Sequence, residues 1–251
     1  MSEIEMNLEA WSLETLRLTV FIADPSIRET AWWEKLITEP PDTRVSRPKE
    51  GIYRDEGSFQ NGKVVLNIAP LRIDWLYTGD VNTTEQDLPI IGSFSKVDKP
   101  FYTLMKNWLG ICPSIKRLAF GATLLQPVSN QEEGYTRISN YLPHIQLDPN
   151  SSDFLYQINH PRLSSVIETL TINRLSKWSV AQLQRLHFEI NQERKVSATA
   201  FPYAGFHACR LELDINTSQN FTQILPKENR PSLFDELIAL GKEIATKGDV
   251  K

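Results

Sequence analysis

From Gly51 to Gly79 apolar and polar residues alternate almost without interruption. Val64, Leu66 and Ile68 take one parity and Val65, Asn67 and Ala69 the other. After Pro70, Leu71, Ile73, Trp75 and Tyr77 alternate with Arg72, Asp74 and Leu76. Period two over this length is the pattern of strands with one buried face. Asn61-Gly62 supplies a pair that accepts positive φ at both centres of a two-residue hairpin turn. Pro70 cannot donate to a ladder, so it marks the second turn or a strand edge. The stretch therefore predicts a three-stranded antiparallel meander, with Leu66, Ile73 and Trp75 buried against an amphipathic helix.

The same reading extends along the chain. Met1 to Trp11 reads as a loose lead-in, and Leu16, Leu18, Val20 and Ile22 as a first strand stopped by Asp24-Pro25. Ser26 and Glu29 have capping-box spacing and predict a helix through Ile37, ended by Pro40-Pro41. Thr43 to Glu50, with four charges, reads as an exposed loop, and Asp80 to Gly92 as a connection. Asp98 is placed to cap a helix whose face carries Phe101, Leu104, Met105, Trp108 and Leu109, with Gly110 as its stop. Lys116 to Leu125 is a strand in which Gly121 leaves room for a close neighbour. Asn130 with Glu133 opens another short helix. Further strands are expected at Phe154–Ile158, Val166–Ile172, Leu186–Ile190 and His207–Ile215. Trp178 to Leu186 fits a strand or a helical stripe. Asn229 and Pro231 open a final helix with a wide apolar face from Leu233 to Ile244.

Runs of strands broken by single helices predict an α+β fold, a largely antiparallel sheet with amphipathic helices packed on one face. Both halves read as a multi-strand run followed by an amphipathic helix, which raises a duplication without a residue-level repeat. A single domain is expected over residues 1–251. The best candidate seam between two sub-domains is Pro143 to Ser152.

Composition narrows the classes. A length of 251 residues is enough for a core that needs no disulfide or metal. A net charge of -4 opposes nonspecific nucleic-acid binding, which draws on excess Lys and Arg. Two cysteines, Cys112 and Cys209, make no disulfide framework and suit a reducing compartment. The acidic N-terminus is no signal peptide, and no apolar run approaches a membrane span. A cytoplasmic, prokaryotic protein without a membrane segment is expected.

Candidate chemistry is sparse. There is no metal-ligand spacing among His144, His160, His187 and His207, no nucleophile elbow and no phosphate-binding glycine loop. No catalytic residue, cofactor or metal site is assigned. His207 and Cys209 share a strand face, but Leu211, Leu213 and Ile215 share it too, which favours a core role. Glu212 and Asp214 share the other face and, like Asp74, read first as a solvated strand surface. Asp74, His207, Cys209 and Glu212 are the polar candidates if the protein is an enzyme. Trp32-Trp33 points two rings about 100° apart on a helix. Either one ring sits at a rim and meets a partner, or the helix is buried on two sides. Phe201, Tyr203 and Phe206, in an apolar loop, are further candidate partner contacts.

The opening strand Leu16–Ile22, the helix Phe101–Leu109, the strand with Arg117-Leu118-Ala119-Phe120, and Leu211-Glu212-Leu213-Asp214-Ile215 before a helix with Asp235-Glu236-Leu237 form an ordered set. In that order and pattern the chain resembles a sporadically distributed, functionally uncharacterised family of prokaryotic α+β proteins. The resemblance implies the fold class and brings no site residues with it. The function expected from the sequence is non-enzymatic binding of a protein partner or self-association, as in a subunit of a small operon-encoded system. The alternative is an enzyme with scattered residues meeting in a cleft between the halves. Nucleic-acid binding ranks last. It would use Arg162, Arg174, Lys177, Arg185, Arg194 and Lys195, interleaved with Trp178 and His187, and Glu189 and Glu193 dilute that charge.

Overall fold

Leu66, Trp75, Leu18, Phe120, Ile215 and Arg174 form one cross-strand row, each paired directly with the next. All six are buried. Side chains opposite one another in a ladder share a face, so this row marks the inner face of a single sheet. The computed structural model that carries it describes residues 7–24, 31–79, 90–183, 186–190, 196–200 and 206–249.

In chain order the elements are β1 (Ser12–Ile22), α1 (Trp32–Leu36), β2 (Thr43–Arg47), β3 (Ile52–Phe59), β4 (Gly62–Ala69), β5 (Arg72–Gly79), β6 (Gly92–Ser93), α2 (Phe94–Val97) and α3 (Lys99–Leu109). There follow β7 (Ile115–Val128), α4 (Gln131–Tyr141), β8 (Leu155–Asn159), β9 (Arg162–Leu163), β10 (Thr171–Leu183), β11 (Leu186–Ile190), β12 (Val196–Ala200), β13 (Phe206–Thr217) and α5 (Arg230–Lys247). The main sheet runs β2-β3-β4-β5-β1-β7-β13-β10-β8, and β11-β12 form a separate hairpin. Every neighbour in the main sheet is antiparallel. The protein is α+β, as the strand-and-helix pattern predicts.

The order is mirrored about the β1–β7 pair. Outward from β1 come β5, β4 and β3; outward from β7 come β13, β10 and β8. Each side is built from a long strand, a short helix, a strand run and an amphipathic helix. The Pro143–Ser152 stretch lies inside the second of these runs, between α4 and β8, and the sheet is continuous across both.

The inner face is covered by helices. Trp75 of β5 stacks on Trp33 of α1 at 6.4 Å and meets Trp108 of α3 at 5.9 Å, while Trp32 meets Trp108 edge-on at 6.2 Å. α5 packs across β7 and β13, and α4 on β13 and β10. Gly241 of α5 lets that helix come close, because a Cβ there would stand 2.9 Å from the Phe120 ring. Asp98 is fully buried, with its carboxylate 2.5 Å from Lys242 Nζ, and that ammonium lies over the rings of Phe94 and Tyr102. This pair ties α5 to the start of α3.

Several local expectations are corrected. The first hairpin turn is Gln60-Asn61, with Gln60 at φ 50, and Gly62 is already a strand residue opposite Phe59. Trp11 is not part of a loose lead-in: it is fully buried and its indole N–H donates to the Ala245 carbonyl at 2.8 Å. Thr43–Arg47 is the edge strand β2, exposed throughout, so no alternation betrays it. Asp98 makes no side-chain cap bond, its carboxylate being engaged by Lys242. The Val166–Leu170 stretch is a turn leading into β10, and β10 runs as a strand to Leu183 with Trp178 inside it. Ser26 and Glu29 lie outside the described residues. Asn130 does cap α4: its Oδ1 accepts the Glu133 N–H at 2.9 Å, and the Glu133 carboxylate accepts the Ser129 N–H at 2.8 Å.

Candidate functional site

With the helices on one face, the other face of the sheet is left open among the described residues. Its central cross-strand row is Val65, Leu76, Arg17, Gly121, Asp214 and Leu175. The neighbouring row is Lys63, Thr78, Thr15, Thr123, Glu212, Lys177 and Gln157. Small residues at the middle, Gly121, Thr15 and Thr123, flanked by longer ones, leave a depression of about 350 Å³. It is lined by Leu76 and Leu175, the basic groups of Arg17 and Lys177, and the acidic groups of Glu212 and Asp214. The depression lies where the two mirrored halves meet.

Backbone irregularity shapes its rim. The β1–β7 register shifts between Leu13 and Thr15, so Glu14 is an extra residue in β1. Leu13 and Leu16 both stay in the core, and Glu14 and Thr15 are both half-buried between them. A bulge of this kind re-aims a side chain at little cost to the ladder on either side. The Glu14 carboxylate lies 3.7 Å from the Arg210 guanidinium. Burial pushes the Glu14 carboxyl up from its ordinary value, Arg210 pulls it back, and Glu212 adds to the rise.

The charges here neutralise one another. Arg17 reaches Asp214 at 3.8 Å, Lys177 reaches Glu212 at 3.0 Å, and Arg210 reaches Glu212 at 3.4 Å. Half-exposed pairs of this kind contribute only about 0–1 kcal/mol each. They are better described as a patterned surface than as a source of stability. The Nε atoms of Arg17 and Arg210 are buried without an acceptor, and of the two residues Arg17 lines the depression. With carboxylates matched to cations and only threonine hydroxyls between them, the arrangement is suited to holding a surface of mixed charge.

The polar candidates from the sequence divide between the two faces. Asp74 and Glu212 lie on the open face. Asp74 accepts from Thr19 Oγ1 at 2.5 Å and from Arg72 at 2.7 Å and 2.9 Å. His207 and Cys209 have the parity of the helix-covered face. Cys209 is fully buried, with Sγ 3.4 Å from the Gly134 carbonyl of α4, and burial pushes its thiol up to about 12. His207 is half-buried at the strand's start, its Nδ1 buried without a partner. Glu212 and Asp214 each face a cation, and no group of three or more His, Cys, Asp or Glu able to hold a metal occurs among the described residues.

The aromatic candidates also separate. Trp32 and Trp33 are 5% and 1% exposed, so α1 is buried on two sides and offers neither ring to a partner. Phe206 is 45% exposed at the end of the β10–β13 ladder. Phe201 and Tyr203 lie outside the described residues. The basic third of the chain is not gathered into one patch. Arg162 and Arg174 meet Glu243 of α5, Arg174 from the inner face, while Lys177 is on the open face. Arg185, Arg194 and Lys195 lie outside the described residues.

Sequence reasoning did not find Glu14, Arg17 and Arg210. The parity of Arg17 and Arg210 assigns them to the polar face of their strands, whereas Glu14 shares the parity of Leu16, Leu18 and Val20 and leaves the core face only through the bulge. Which strands lie side by side, and therefore which charges meet, is not encoded in period two. No helix among the described residues is long and apolar enough to cross a membrane. Compared with protein-family models, with curated proteins and with solved structures, the chain matches none.

Proposed function

We propose that the protein is a non-catalytic binding protein that takes a protein partner on the open face of its sheet, centred on Arg17 and Gly121. The observation that carries this reading is the asymmetry of the sheet. One face is filled by aromatic and aliphatic side chains under the helices, and the other presents a depression at the junction of the halves whose ionic groups stand ready in fixed places. Alternating charge of both signs suits a protein surface, where complementary pairs fix register and exclude wrong partners. It does not suit a nucleic acid, because Glu14, Glu212 and Asp214 would face phosphates. The separation of His207 and Cys209 from Asp74 and Glu212 on opposite faces supports binding over catalysis.

A photo-crosslinking residue placed at Thr123, in the depression, tests the reading against one at Ala239, exposed on α5. In native lysate the Thr123 probe should capture a discrete protein and the Ala239 probe should not. Arg17→Glu with Lys177→Glu should abolish that capture while the protein stays folded, with a melting temperature lowered only modestly by the carboxylates then set against Asp214 and Glu212. Equal capture from both positions, or capture indifferent to the charge reversal, would count decisively against the open face.

A further inference from the structure

We infer that two copies of the chain pair through β8, antiparallel about Gln157, so that two sheets become one. Among the described residues β8 is the terminal strand of the main sheet, bonded to β10 on one side only. A terminal strand presents a row of unpaired N–H and C=O groups, and natural proteins usually blunt it with charge. The opposite edge follows that rule: β2 carries Arg44 and Arg47, and Arg44 is held by Glu34 and Asp55. β8 does not. Its sequence is Leu-Tyr-Gln-Ile-Asn, without a charge. Leu155 in β8 and Leu163 in β9, both on strands that border β10, are 63% and 67% exposed, more than any other large hydrophobic residue described.

The occupant is a second copy because the strand is complementary to itself. Antiparallel pairing centred on Gln157 sets Leu155 opposite Asn159 and Tyr156 opposite Ile158 of the second copy. Gln157 meets its own copy across the dyad, and an amide side chain both donates and accepts. No like charges oppose each other anywhere in this register, whereas a β2–β2 pairing would bring arginines together. Pro161, lacking an N–H, ends the ladder just beyond Asn159. The interface is therefore short, and association should be weak and depend on concentration. Gln157 also lines the open-face depression, so pairing would place two depressions on one continuous surface. This inference does not rest on the proposed partner binding, and either can fail without the other.

Sedimentation velocity on the full chain, across two decades of concentration, reads the association directly. The parent should shift from monomer to dimer. Gln157→Lys should weaken that association at least tenfold, since two ammonium groups would meet at the dyad, while the monomer stays folded with a melting temperature lowered only modestly by Lys177 directly opposite. Arg44→Gln with Arg47→Gln should leave it as it is. Gln157→Cys supplies a second readout, because Cys112 and Cys209 are buried. Directly opposed strand residues lie within disulfide reach, so mild oxidation should link Gln157→Cys into a covalent dimer and leave Arg44→Cys monomeric. A strict monomer at every concentration, or a dimer insensitive to Gln157→Lys, would overturn the inference.

Discussion

The Arg17 guanidinium lies across Gly121, its Nε 3.1 Å and its terminal nitrogen 3.2 Å from where a Cβ on that glycine would stand. The two residues are direct cross-strand partners on β1 and β7. Gly121 is thus the space Arg17 occupies and the lowest point of the open face. Gly121→Val should displace a flexible side chain and fill the depression, while a β-branched residue suits a strand. The expected outcome is a melting temperature equal to or above the parent's, together with loss of the Thr123 crosslink to partner. A destabilised Gly121→Val that still captures partner would show that the depression is not where the partner sits.

Leu66 and Asn67 test the two faces of the meander. Leu66 is 1% exposed beneath the helices and Asn67 faces outward, where it accepts from Arg54 at 3.3 Å. Leu66→Ala should cost ~2–5 kcal/mol, from lost transfer energy and a cavity. Asn67→Ala should cost under about 1 kcal/mol. Urea melts of both variants decide it; equal costs would mean that the outer face is covered as well.

Gly62 should be intolerant for a reason unrelated to turn conformation. A Cβ there would lie 2.2 Å from the Thr78 carbonyl oxygen, a backbone atom of the adjacent strand. Gly62→Ala should therefore destabilise well beyond the ~1 kcal/mol typical of substitutions. Gln60→Gly, at the residue that carries positive φ, should be nearly neutral. The same urea series measures both.

Cys209 should be inert in the folded protein. Its thiol is pushed up to about 12 by burial and rests under α4. The thiolate is the reactive form. Iodoacetamide at neutral pH should leave Cys209 unmodified in the native state and alkylate it fully in urea, as peptide mass mapping would show. Rapid native alkylation would restore Cys209 as a nucleophile.

Glu133 sets an acid-side dependence. The Ser129 N–H, foremost, and then the Ser129 hydroxyl and Arg137 hold its carboxyl below the ordinary value. A carboxyl lower in the folded state stabilises fully above the ordinary carboxylate range, and that contribution is lost as pH falls through its folded pKa. Glu133→Gln should be less stable than the parent at neutral pH, and the difference should shrink as the pH drops below about 4. Urea midpoints over a pH series measure it; a constant difference would mean that the capping-box carboxylate is not the titrating group.

The meander and the α3 and α5 faces are legible because each has one buried side and one wet one. Leu66 and Asn67 lie on opposite sides of a single layer, and period two records that. β2 is hidden because neither of its sides is buried. In β10 the inner row reads Ile172, Arg174, Ser176 and Trp178, so polar residues interrupt the apolar parity. Arg174 donates to Glu243 of α5, 69 residues away in sequence, and no local pattern foretells that pairing. The open-face site is hidden for the same reason. Arg17, Gly121 and Asp214 meet only because β7 lies between β1 and β13, which is a property of strand order.

Within the sheet the mirrored halves are joined through a single ladder, β1 against β7, and their chain connection passes once, at Gly110–Ser114. During synthesis the first half is complete while β7 is still unmade. β1, eleven residues long, then has β5 on one side and bare backbone on the other. Until the second half emerges, that edge is open to any extended segment nearby, including β1 of another nascent chain. Closure of the β1–β7 ladder is thus the step that covers this central edge. Mutations that delay it should lower yield in the cell even where they leave the finished protein's stability untouched.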